Sequence, residues 1–68
     1  MEILVFKTNI TEIKPVVEQR LRQHEGISRW SIDFGDRDKV LRVEAQNVQP
    51  VEIVQSITAA GYHCEELA

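Results

Sequence analysis

Two short runs in the middle of the chain alternate between apolar and polar residues. In SRWSIDF, residues 28–34, Trp30, Ile32 and Phe34 share one parity, and Arg29, Ser31 and Asp33 share the other. In VLRVEA, residues 40–45, Leu41, Val43 and Ala45 alternate with Arg42 and Glu44. Successive side chains of a strand point to opposite faces, so each run predicts a half-buried strand. GDRD, residues 35–38, lies between them and has the residues that tight turns favour. Two alternating runs around a short polar turn make a hairpin. With 68 residues in all, the chain has room for one domain, 1–68, and no second.

The flanks supply one strand and one helix each. Before the hairpin, EILVFK, residues 2–7, is apolar at both parities, the pattern of a central strand covered on both faces or nearly so. Ile3 and Val5 are expected to point inward. Leu4 and Phe6 would then face the uncovered side of the sheet, with His63 beside them on a neighbouring strand. Next, Ile13, Val17 and Leu21 recur at every fourth position beside Val16, while Lys14, Glu18, Arg22 and Gln23 fall on the wetter side. Pro15 is acceptable only in a first turn, which puts the helix start near Thr11 as N-cap, and Gly26 is expected to end it. After the hairpin, Pro50 suits a first helical position, Glu52 can reach back to the cap, and Val48 can pack on Ile53. Ile53, Val54, Ile57 and Ala60 form a buried stripe, Gly61 caps it, and YHCEEL, residues 62–67, is a last short strand.

The resulting order is strand, helix, strand, strand, helix, strand. Two right-handed crossovers around a hairpin predict an α+β, ferredoxin-like βαββαβ sandwich. It has a four-stranded antiparallel sheet, both helices on one face, and the first and third strands central.

Composition narrows the function. With 43% hydrophobic and 28% charged residues the chain reads as globular. Eight basic against eleven acidic residues give a net charge of -3, which disfavours nucleic acid, whose binding needs clustered basic groups. The start, MEILVFK, lacks the basic region and cleavage site of a signal peptide, and no apolar run nears the roughly 20 residues of a membrane span. Cys64 is the only cysteine, so no internal disulfide forms. A cytoplasmic protein without nucleic-acid or membrane partners is expected.

No catalytic, cofactor-binding or metal residue is assigned. Ser28, Ser31 and Ser56 lack an evident base partner, and the lone Cys lacks a positioned His. The outward hairpin positions Arg29, Asp33, Arg42 and Glu44 are not the stacking aromatics of an RNA-binding sheet. Asp36 and Asp38 fall short of the six or more oxygens of a calcium site. His63 and Cys64 are adjacent in a strand and point to opposite faces, so one monomer does not grip an ion with both. Cys64 is expected inward as a small apolar residue, Trp30 partly buried, and His24 near the end of the first helix, where its charge suits the dipole.

Gly26-Ile27 after the first helix, the WSIDF and VLRVEA hairpin, and ITAAGY before the last strand resemble the heavy-metal-associated domain family in order and spacing. The resemblance covers nearly the whole chain. Its members are small metallochaperone modules, found also on metal-pumping ATPases, and bind soft metal ions through a Met-x-Cys-x-x-Cys loop between the first strand and first helix. The resemblance implies that this loop lies in KTNITEIKP, residues 7–15. At the family's separation from Gly26, the Met falls at Thr8 and the two Cys at Ile10 and Ile13; a slip of one residue offers Asn9 and Glu12. Neither register supplies a thiolate, the ligand copper(I) selects. The chain therefore resembles a divergent member with a degenerate metal site. Ile10 and Ile13 are expected to close the loop over the core, each burial contributing roughly 1.5–3 kcal/mol. Tyr62, at the place of an aromatic often found beside the metal loop, is expected to pack on one of them.

The expected function is that of a non-catalytic interaction or adaptor domain. It would dock to itself or to a protein partner through the open sheet face at Leu4, Phe6 and His63. Two alternatives stay open. One is a metal-binding or metal-transport accessory protein using His63, Cys64 or an intersubunit site outside the family loop. The other is a small-molecule-sensing regulatory domain.

Overall fold

A computed structural model describes residues 1–67. Its elements are β1 (Glu2–Thr8), α1 (Pro15–Arg22), β2 (Ile27–Asp33), β3 (Val40–Ala45), α2 (Pro50–Ala59) and β4 (Cys64–Glu66). The four strands form one sheet in the order β2-β3-β1-β4, every pairing antiparallel. This is the ferredoxin-like sandwich that the hairpin and its flanks predict, with β1 and β3 central.

One core joins the sheet to the helices. Leu4 and Phe6 of β1 lie opposite Val43 and Leu41 of β3, and these four are buried with Val17 and Leu21 of α1 and Ile53 and Ile57 of α2. Directly opposed residues share a face, so the inward set on β3 fixes the inward set on β1. This overturns the expected parity of the first strand. Leu4 and Phe6 are core residues, Phe6 with 0% of its surface exposed, while Ile3 is 46% exposed on the uncovered face. Leu4 and Phe6 therefore cannot form an open contact patch with His63. The residues that face outward from β1 are Ile3, Val5 and Lys7, opposite Glu44, Arg42 and Glu65.

The first helix also begins later than expected. Lys14 is extended (φ −91, ψ 158) and serves as N-cap, with Pro15 at the first helical position. Proline disfavours helical geometry in the residue before it, so a helix running from Thr11 through Lys14 is not available. The helix ends at Arg22, capped by Gln23, before it reaches Gly26. The role of Gly26 is close approach instead. A Cβ there would fall on the Gln46 carbonyl oxygen and the Val48 Cγ2 methyl, and Gln46 N–H donates to the Gly26 carbonyl at 2.9 Å.

The second helix starts and stops where expected. Glu52 Oε2 accepts from Gln49 N–H at 2.7 Å, and Val48 and Ile53 are both in the core. At its end Gly61 takes φ 97, Gly61 N–H donates to Thr58 and Tyr62 N–H to Ile57, the paired bonds of a glycine-terminated helix. The last strand is shorter than expected, with Tyr62 and His63 in the connection that precedes it.

Candidate functional site

The connection between β1 and α1 spans residues 9–14, within the segment 7–15 that the family resemblance singles out. It is fastened at its start. Thr8, buried, donates through Oγ1 to the Lys39 carbonyl at 2.6 Å and accepts from Ile10 N–H at 3.2 Å, and Thr8 N–H donates to the Asp38 carbonyl at 3.0 Å. The β2–β3 turn is itself shaped by Asp33 and Asp36, whose carboxylates accept from Gly35 and Asp38 N–H. So the turn and the loop meet at one end of the sheet. Lys7 Nζ lies 3.8 Å from Asp38 Oδ1 across the same junction. On the other side Asn9 Oδ1 accepts from His63 N–H at 2.8 Å, which ties the loop to the approach to β4.

The two isoleucines do not act as a pair. Ile10 is fully buried, whereas Ile13 is 43% exposed. Residues 9–14 are not helical, so a three-residue spacing there does not bring side chains to one spot. The expectation that both close over the core holds for Ile10 and fails for Ile13. Tyr62 is half-buried against the core that contains Ile10.

His63 lies outside β4, so strand alternation does not govern how it sits relative to Cys64; His63 is exposed and Cys64 buried. Cys64 is a free, buried thiol opposite Thr8, and burial, with Glu65 adding to it, pushes its pKa up to about 11. The raised pKa disfavours the thiolate, the nucleophilic form. His63 is exposed, its Nε2 3.5 Å from Glu65 Oε2. Among the described residues no group of three or more His, Cys, Asp and Glu side chains converges. His24 lies past the end of α1, with Nε2 2.6 Å from Ser56 Oγ, and links the α1–β2 connection to α2; only the fold brings together residues so far apart in sequence. Trp30 is half-buried against the core, as expected, but Phe34 of the same parity is 39% exposed. Beyond the strand, alternation no longer governs it.

At the opposite end of the sheet a shallow groove of about 650 Å³ is lined by residues that include Gln23, His24, Gln46, Asn47 and Glu52. Its walls are the α1–β2 and β3–α2 connections. Among the described residues no helix is long and apolar enough to cross a membrane.

No protein-family model matches the chain, and no curated protein matches it. Solved structures do match. The yeast copper transporter domain Ccc2a superimposes with a TM-score of 0.81 at 18% identity, over 100% of this chain and 97% of that one. A copper-binding domain from the P-type ATPase HMA7 gives 0.80 at 20% identity, over 100% and 96%. The Atx1–Cu(I)–Ccc2a complex gives 0.78 at 18% identity, over 100% and 97%. The fold of this chain is that of the heavy-metal-associated domains.

Proposed function

We propose that this chain is a non-catalytic interaction module on the heavy-metal-associated fold. In it the loop between β1 and α1 packs instead of ligating, and the domain works by docking to protein. The observation that carries this reading is Ile10. At the position that corresponds to a ligand by the spacing from Gly26, an apolar side chain is fully buried. No sulfur is present in residues 7–15 to take its place. Ccc2a forms a complex with Atx1 that includes Cu(I). By analogy this chain engages a protein surface, but without a shared soft ion.

Titration of copper(I) and zinc against a competing chromophoric chelator, under reducing conditions, tests the reading. No stoichiometric binding at sub-micromolar affinity is expected. Tight one-to-one binding that is lost in Cys64→Ser would overturn it and favour a metal-accessory role through Cys64.

A further inference from the structure

The sheet has two free edges, and they differ. β4 is three residues long and carries Glu65 and Glu66, a short edge with like charges that resists pairing with its own copy. β2 is seven residues long, and among the described residues its outer backbone groups have no neighbouring strand. A bulge between Ile27 and Arg29 interrupts its pairing with β3, which leaves Arg29 to Asp33 as the regular stretch.

That stretch, Arg29-Trp30-Ser31-Ile32-Asp33, complements itself when run antiparallel about Ser31. Arg29 then faces Asp33 of a second copy, Asp33 faces the copy's Arg29, Trp30 faces its Ile32, and Ser31 faces Ser31. Each residue meets one of its own parity, so outward backbone groups meet outward backbone groups and both sheet faces continue across the junction. On the uncovered face two opposite-charge pairs form, from an Arg29 side chain that is 78% exposed and held only loosely by Glu44 at 3.9 Å. On the helix side Trp30 and Ile32 pack on the core yet stay half-buried, and a second copy would cover what remains. Centring the pairing on Trp30 would set Ser28 against Ile32, and centring it on Ile32 would set Arg29 against Gly35; both lose the charge match.

We infer that β2 is a self-association edge: two copies pair antiparallel about Ser31 and join their sheets into one. This deepens the docking reading by naming a second copy as the partner, and it rests on that reading for the claim that docking is what the domain does.

Sedimentation equilibrium from about 10 μM to about 1 mM spans the range in which so small an interface associates. The parent chain is expected to form dimers there. Arg29→Asp alone and Asp33→Arg alone each set like charges opposite one another twice per dimer, and each should weaken association about tenfold. Combining the two swaps restores opposite charges and should recover most of the loss. Ser31→Cys is a variant that leaves every charge in place. Directly opposed Cβ atoms lie about 4.5–5.5 Å apart, so it should cross-link to itself under mild oxidation. Asp33→Cys, which faces Arg29, should not, and buried Cys64 does not compete. Three results would overturn the inference: a monomer throughout, a double swap no better than either single, or Asp33→Cys linking as fast as Ser31→Cys. Tight metal binding in the titration above would defeat the metal-free docking reading and leave the dimer measurement intact, so the two failures are distinguishable.

Discussion

The two helices begin alike in sequence and are held differently. Each has proline at its first position and an extended residue before it, Lys14 at φ −91, ψ 158 and Gln49 at φ −82, ψ 143. The segment leading into α2 is closed from several sides. Glu52 accepts from the cap N–H, Val48 is buried in the core, and Gly26 lets the Gln46 backbone come into bonding range. The segment leading into α1 has none of these. Its third helical residue is Val17, which cannot cap, and the residue before its cap, Ile13, is 43% exposed. What holds that connection sits at its other end, in Thr8 and Ile10. One connection is thus a structural joint at the helix start, and the other is anchored only at its strand end, through Thr8, Asn9 and Ile10. Variation between Thr11 and Ile13 therefore costs the fold little, whereas Thr8, Asn9 and Ile10 hold the connection in place.

Breaking the tighter joint should have the largest effect. Gly26→Ala drives a methyl into the Gln46 carbonyl and Val48, and the obstruction is backbone, which cannot swing aside. It forces apart the Gly26–Gln46 bond as well, for a loss of roughly 4 kcal/mol or more. In a domain of this size that approaches the whole stability. Urea melts should show little or no cooperative transition. A Gly26→Ala chain as stable as its parent would mean the joint is slack.

The looser connection is sharpened by its two isoleucines. Ile10→Ala removes a fully buried side chain and should cost about 2–4 kcal/mol, whereas Ile13→Ala should change stability by less than about 0.5 kcal/mol. Equal losses from the pair would show that the loop closes as a unit.

How far the sequence discloses this follows from where its patterns are one-sided. The hairpin strands alternate cleanly, and Leu41, Val43, Ala45 and Trp30 lie as their parity requires. The start of α2 is legible because Pro50, Glu52 and Val48 agree on one residue. β1 is not, because EILVFK is apolar at both parities and periodicity gives no vote. A signal is present in Lys7, which shares the parity of Ile3 and Val5 and marks theirs as the wet face, and in the pairing with β3 that sets Leu4 on Val43. The start of α1 is ambiguous because Pro15 admits any place in a first turn, while its effect on Lys14 admits only one. The candidate site is legible as chemistry, in its want of sulfur, and not as shape. The split between Ile10 and Ile13 depends on a non-helical path that no spacing rule describes.

The smallest effect tests the comparison at the level of single hydrogen bonds. Glu52→Ala removes the acceptor of the Gln49 N–H and an acid from the first turn of α2. Loss of such a cap costs about 1 kcal/mol, part of it from the favourable placement of negative charge at a helix start. Glu52→Gln keeps an acceptor of the same reach and loses only the charge, so it should cost about half as much. The counterpart in α1 is Glu18, also in the first turn but one residue beyond the capping position. Glu18→Ala should lose only the charge contribution, a few tenths of a kcal/mol that fade as salt is added. Urea melts of the three variants at low and high salt separate the contributions. The hydrogen-bonded share of Glu52 should survive salt, and the effect of Glu18 should not. If Glu52→Ala proves as mild as Glu18→Ala, the cap does not distinguish the two helix starts. The tightness of the second would then reside wholly in Val48 and Gly26, where side-chain packing and backbone contact hold it without help from the helix end.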